Sequence, residues 1–170
     1  MKKLFAIVGE SDWGKSNTLY ELFKRKQFMP LKKPITVEGM PYKFIVINAS
    51  NEDRPLGEFL ERLEKVLNEH EQEKEVIYVI TVSLTFTENN HYVIPVLDFL
   101  NALSNEFDIH YIILNRGWRN GALSDNSINR LKQIVNDDDK IHEFHQEINM
   151  LKTAFAERTK EISKTIQSLI

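Results

Sequence analysis

Apolar runs typical of β-strands alternate along this chain with stretches of helical periodicity, and this alternation limits the fold more than any other feature. Strands are predicted at residues 4–8, 35–37, 42–47, 76–86 and 109–114. Helices are predicted at residues 15–28, 56–68, 92–103 and 127–135. The alternation favours an α/β fold with a mostly parallel central sheet. Gly39 and Pro41 separate the second and third strands and predict one antiparallel hairpin there.

Size and composition exclude several classes of protein. The chain has 170 residues, enough for one domain with its own core. The net charge of −3 argues against a protein that works by coating nucleic acid. The absence of cysteine excludes disulfides and zinc–thiolate sites, and it fits a cytoplasmic location. The apolar run at 76–86 is too short for a bilayer, so we expect no membrane span.

Beyond residue 136 the sequence predicts a long amphipathic helix, which we place at 137–170 behind a domain at 1–136. Its apolar seam repeats every seven residues at Ile141, Ile148, Phe155, Ile162 and Leu169. Phe144 and Leu151 occupy the intermediate positions, but Arg158 and Thr165 occupy the next two. Such a helix either packs across its own domain or pairs with a second copy or another protein.

A phosphate-binding motif lies between the first predicted strand and the first predicted helix. Residues 9–16 match the pattern G-x-x-x-x-G-K-[ST] and read Gly9, Glu10, Ser11, Asp12, Trp13, Gly14, Lys15, Ser16. A loop of this length can wrap an anion so that its backbone N–H groups point inward. Lys15 can reach the terminal phosphates, and the Ser16 hydroxyl can ligate Mg²⁺. The following helix directs its N-terminal amides at the same phosphates.

On this motif and on the order of its elements, the chain resembles the P-loop NTPases. The resemblance implies a three-layer αβα fold that binds a nucleoside triphosphate, ATP or GTP, together with Mg²⁺. It implies that Gly14, Lys15, Ser16 and Asn17 hold the β- and γ-phosphates and the metal. Trp13 departs from the small residues common in such loops, and we expect it to point outward over the sugar or base.

The resemblance also implies an acidic residue at the end of a second strand, where it organises Mg²⁺. The predicted strand at 42–47 ends instead in Asn48. Asp53 is our candidate for the metal, and Glu52 is an alternative in the same loop. Glu88, after the strand at 76–86, is a further candidate acid.

The loop after the strand at 109–114 carries candidates for charge stabilisation and base contact. Asn115 and Arg116 stand where GTPases carry a guanine-reading motif, but Trp118 replaces the aspartate that reads guanine. We therefore favour ATP over GTP. Arg116 or Arg119 could stabilise the charge of a transferred phosphate, and Trp118 could stack on a base.

These residues predict Mg²⁺-dependent binding of a nucleoside triphosphate, with slow hydrolysis by a cytoplasmic NTPase. Lys15, Arg116 and Arg119 would act in the reaction. A non-enzymatic alternative is a nucleotide-dependent switch or assembly module with little turnover, since the strand-end acid is missing. An enzymatic alternative is a small phosphotransferase whose acceptor lies near Asp12 and the arginine loop.

Overall fold

Six β-strands alternate with five α-helices over the described part of the computed structural model. The structure describes residues 1–25, 27–28, 33–49, 51, 54–73, 75–84, 93–118, 121–148 and 152–170, with the backbone alone at 152–154. The strands are β1 (Lys2–Gly9), β2 (Ile35–Thr36), β3 (Lys43–Ile47), β4 (Val76–Ser83), β5 (Phe107–Leu114) and β6 (Ile141–Phe144). The helices are α1 (Lys15–Phe23), α2 (Leu56–Glu69), α3 (Val93–Ala102), α4 (Asp125–Val135) and α5 (Lys152–Leu169).

The strands form one mostly parallel sheet in the order β2-β3-β4-β1-β5-β6. Only the pair β2–β3 is antiparallel, which confirms the predicted hairpin. Strand β1 is central and pairs in parallel with β4 on one side and β5 on the other, with Val8 opposite both Val82 and Ile113. The predicted α/β class with a mostly parallel sheet is confirmed.

Helices cover both faces of the sheet, and successive side chains of β1 alternate between the two faces. Leu4, Ala6 and Val8 face a core layer that also holds buried residues of α2, α3 and α4. Phe5 and Ile7 face the other layer, which holds buried residues of α1 and α5. All five side chains are fully buried. Burial on both faces explains why the run is continuously apolar instead of alternating with polar residues.

The predicted helix over 137–170 is wrong in its first part. Residues Asp138–Lys140 form a single 3₁₀ turn, and Ile141–Phe144 forms strand β6, which pairs in parallel with β5. The heptad pattern fits a helix locally, but the edge of β5 offers backbone hydrogen bonds that a helix here would leave unmade. Ile141 and Phe144 pair with Tyr111 and Leu114.

Helix α5 packs on its own domain, as one of the two alternatives predicts. Ile162 and Ile166 are fully buried in the layer that also contains α1. The Tyr42 hydroxyl donates a hydrogen bond of 3.1 Å to the carbonyl of Ile170 near the end of the chain. None of the described helices is both long enough and apolar enough to cross a bilayer.

Helix α1 ends at Phe23 and not at residue 28 as predicted. Lys24 adopts a left-handed conformation with φ of 50°, and its N–H donates to the carbonyl of Tyr20. This geometry closes the helix with a C-cap, which satisfies a carbonyl that would otherwise lack a partner.

Candidate functional site

The motif loop lies at the carboxyl edge of the sheet. At this point the helices that follow neighbouring strands pack on opposite faces of the sheet. Gly9 ends β1, and Lys15 begins α1. Helix α1 packs on one face, whereas α3 and α4, which follow the neighbouring strands β4 and β5, pack on the other. Ligands of open α/β sheets bind in the crevice that such a switch in direction creates.

The backbone of the loop is sharply curved. Asp12 and Gly14 both adopt left-handed conformations, with φ of 58° and 77°. The N–H of Trp13 donates to the carbonyl of Glu10 at 3.3 Å, which closes a turn. The N–H of Leu84, after β4, donates to the carbonyl of Gly9 at 2.9 Å. The loop is therefore folded back on itself and anchored to the neighbouring strand.

Gly14 is required for two separate reasons. Its positive φ disfavours any residue that carries a Cβ. In addition, a Cβ at this position would lie 2.5 Å from Cε1 of Phe155 and 3.1 Å from Nη2 of Arg158. Helix α5 thus packs directly against the outside of the loop, in space that only a glycine leaves open.

The side chain of Lys15 turns back into the loop. Its Nζ donates to the carbonyls of Glu10 at 2.7 Å and Gly9 at 3.1 Å, and the residue is only 7% exposed. Burial raises the pKa of Glu10, and the charge of Lys15 opposes this rise. The Lys15 ammonium therefore lies inside the loop, bound to two of its carbonyls.

Several amides of the loop and of the first turn of α1 are available to an anion. Among the described residues, the N–H groups of Gly14, Ser16 and Asn17 have no main-chain acceptor. No side chain caps α1, because its N-cap is Gly14. The first N–H groups of a helix lack intrahelical acceptors and carry the positive end of its dipole.

Ser16 faces Asn48, which directly follows β3. The Ser16 hydroxyl donates to Oδ1 of Asn48 at 3.0 Å. Both side chains present oxygen, the ligand type that Mg²⁺ prefers, so the pair fits a magnesium ion that also binds phosphate and water. Among the described residues no group of three or more acidic or histidine side chains could hold a metal. Asp53, Glu52 and Glu88 lie outside the described residues.

Asn51 ties the loop that follows β3 to the end of β4. Its Oδ1 accepts from the N–H of Ser83 at 2.7 Å, and its Nδ2 donates to the Ser83 carbonyl at 3.1 Å. The residue is almost fully buried. This paired contact fixes the loop that begins at Asn48 and so helps to hold Asn48 beside Ser16.

The expectation that Trp13 points outward over a sugar or base is wrong. Trp13 is 7% exposed and belongs to the core layer that contains α2, α3 and α4. Its indole packs on Gly117, where a Cβ would lie 2.3 Å from Nε1, and beside Gly121. A large apolar ring gains more free energy from this burial than from solvent exposure. Trp13 therefore joins the motif loop to the loop after β5.

The arginine loop after β5 is only partly described. Arg116 is half exposed, and its Nη1 lies 4.0 Å from the Glu147 carboxylate. Trp118 packs its ring at 5.5 Å from that of Phe155. Arg119 lies outside the described residues. The catalytic roles of both arginines and the base contact of Trp118 stay predictions.

Arg158 of α5 is the part of the site that the sequence argument missed. It is 1% exposed, and its Nη2 donates to the Trp13 carbonyl at 3.0 Å and to the Thr18 hydroxyl at 3.3 Å. Its Nη1 donates to the Arg116 carbonyl at 3.3 Å. Burial lowers the pKa of Arg158 to about 10. A charged residue in a mostly apolar helical seam is the available signal, because a buried charge needs specific acceptors.

Comparisons with known proteins identify no relative of this chain. No family model matches the chain, and no curated protein or solved structure is significantly similar to it. The resemblance to P-loop NTPases therefore depends on residues 9–16 and on their place between a buried strand and a helix.

Proposed function

We propose that the loop at residues 9–16 binds the phosphates of a nucleoside triphosphate. The observation that carries this proposal is the position of Lys15. Its ammonium group is buried inside a glycine-bounded loop, at the carboxyl end of a central strand and at the start of a helix. The positive end of the α1 dipole and the ammonium group both favour an anion at this place.

Lys15 and backbone N–H groups of the loop would hold the phosphates by direct hydrogen bonds. Lys15 would exchange its hydrogen bonds to the Gly9 and Glu10 carbonyls for bonds to phosphate oxygens, in which both partners are charged. The N–H groups of Gly14 and Ser16 would donate to the same oxygens. The dipole of α1 favours negative charge at this end.

Mg²⁺ would be held by Ser16, with Asn48 beside it, and would shield the charge of the phosphates. Asn48 already accepts the hydrogen bond of the Ser16 hydroxyl but is neutral, so a carboxylate in its place would attract the ion more strongly. Water would be the nucleophile in hydrolysis, and the residue beside Ser16 at the end of β3 is an amide instead of a carboxylate. We therefore propose slow hydrolysis, with ATP favoured over GTP.

A switch or assembly module with little turnover is the second candidate, and the neutral Asn48 beside Ser16 favours it. The choice of ATP over GTP is supported by Asn115. Its Nδ2 is already bound to Glu143 at 2.7 Å and lies 3.2 Å from Nδ1 of His145. An amide that is held in this way is a poor reader of guanine.

Calorimetric titration of the whole chain with ATP and with GTP, each with and without Mg²⁺, tests the proposal. We expect saturable binding between about 1 μM and 1 mM, the usual range for enzymes and their substrates. Phosphate release should be roughly 10⁻⁴–10⁻² s⁻¹, the range of unassisted GTPases. No heat of binding at millimolar nucleotide would refute the proposal. Binding with no phosphate release would favour the switch.

Asn48→Asp should strengthen the dependence of nucleotide binding on Mg²⁺. The new carboxylate would lie beside Ser16, where it attracts the metal but repels bare phosphates. We expect about tenfold tighter binding with Mg²⁺, equivalent to about 1.4 kcal/mol, and weaker binding with the metal removed by chelation. Asn68→Asp adds the same charge on an exposed face of α2 and is the control. Equal responses of the two variants would contradict a metal position beside Asn48.

A further inference from the structure

Arg158 is a buried cation that contacts the outside of the motif loop through uncharged groups. Its hydrogen-bond acceptors are the Trp13 and Arg116 carbonyls and the Thr18 hydroxyl, and its guanidinium lies 5.6 Å from the ring of Phe155. Within the described residues, no carboxylate forms an ion pair with it. Burial of a charge without a counter-charge is costly, so a purely structural role would be better served by an apolar residue.

The contact with Trp13 determines where the next amide points. In a trans peptide the C=O and the N–H of one unit point in opposite directions. Because the Trp13 carbonyl points at Arg158, the N–H of Gly14 points away from α5. It therefore faces the side of the loop that is turned away from α5.

Thr18 extends the same arrangement to the following peptide. Its hydroxyl donates to the Gly14 carbonyl at 2.9 Å and accepts from Arg158 at 3.3 Å. The N–H of Thr18 also donates to the Gly14 carbonyl, at 2.8 Å. The peptide between Gly14 and Lys15 is therefore held with its carbonyl toward Thr18 of α1. The charged Arg158 donor also polarises the peptide between Trp13 and Gly14 and makes the Gly14 N–H a stronger donor.

We propose that Arg158 is a positioning residue that holds the loop amides toward the phosphates, so that nucleotide binding and the docking of α5 stabilise each other. This inference rests on the proposed nucleotide binding. The same guanidinium also contacts the loop after β5 through the Arg116 carbonyl, and Phe155 fills the space at Gly14. Because coupling between two sites is reciprocal, a ligand that favours the ordered loop must also favour docked α5.

Calorimetric titration with Mg²⁺–ATP and with inorganic tripolyphosphate, which has no base, tests the positioning role. Arg158→Met removes the charge and keeps an apolar stem, and we expect both affinities to fall about tenfold. Arg158→Lys keeps the charge but has no planar fork, so its affinities should be intermediate. Lys160→Met removes one charge from an exposed position of the same helix and should leave both affinities unchanged.

Hydrogen exchange of the unaltered chain tests the coupling without any variant. Mg²⁺–ATP should slow the exchange of backbone amides in α5 by about tenfold, although α5 lies on the outer side of the loop. No slowing at saturating nucleotide would overturn the coupling, and so would unchanged affinity in folded Arg158→Met. If Arg158→Met does not fold, Arg158→Lys and the exchange measurement decide. If the unaltered chain binds neither ligand, the proposed function itself fails.

Discussion

Gly14→Ala destabilises the fold by about 2–5 kcal/mol, since it adds two separate costs. A left-handed conformation costs a residue with a Cβ roughly 1–2 kcal/mol. Overpacking of a filled space adds about 1–3 kcal/mol, and the new Cβ would lie 2.5 Å from the ring of Phe155. Denaturant unfolding measures the difference in free energy, and each kcal/mol should lower Tm by roughly 2–4 °C in a chain of this size.

Gly39→Ala separates the two costs. Gly39 has a similar φ of 80°, but a Cβ there would meet no atom within 4 Å. It should therefore lose only the conformational part, about 1–2 kcal/mol. Adding Phe155→Ala to Gly14→Ala removes the ring from the crowded space, so its effect should be less than additive. Equal destabilisation by Gly14→Ala and Gly39→Ala would show that α5 does not crowd the loop.

The elements that the sequence predicts correctly are those whose pattern is local. A continuous apolar run at 4–8 can only be buried on both faces, and β1 confirms this. The turn residues Gly39 and Pro41 predict a hairpin because the chain must reverse within a few residues. The motif at 9–16 lies between a strand and a helix, as the patterns of the residues on either side of it predict.

The errors come from partners that are distant in sequence. Residues 141–144 have helical spacing, but the free edge of β5 converts them into a strand. Trp13 is predicted to point outward over the sugar or base, because nothing near it in sequence indicates that Gly117 makes room for its ring. The pairing of Ser16 with Asn48 depends on the strand order, in which only β4 lies between β1 and β3. Tertiary contacts of this kind override local preference and leave no periodic pattern.

Arg158 is an intermediate case. Its place in an apolar seam is visible in the sequence, and a charge there admits two explanations. One is a polar position that sets the register of a helix pair. The other is a buried contact to specific acceptors, which the carbonyls of Trp13 and Arg116 provide. Only the three-dimensional arrangement identifies acceptors that lie more than forty residues away.

Lys15→Ala should weaken the binding of a nucleoside triphosphate by about 10- to 150-fold. The lost contact is a charge-assisted hydrogen bond, and such bonds contribute about 1.5–3 kcal/mol. The variant also loses the Lys15 hydrogen bonds to the Gly9 and Glu10 carbonyls, so the stability of the unliganded fold is measured separately. Calorimetric titration gives the affinity, and denaturant unfolding without nucleotide gives the stability.

Two variants decide whether this loss is specific to the loop. Lys65→Ala removes the same charge from an exposed position on α2 and should leave nucleotide affinity unchanged. Lys15→Arg keeps a positive charge, but its larger planar group must replace an ammonium bound to the Gly9 and Glu10 carbonyls, so partial recovery is expected. Full affinity in Lys15→Ala would mean that the ammonium does not contact phosphate, and the carbonyl contacts of Lys15 would then serve only to close the loop.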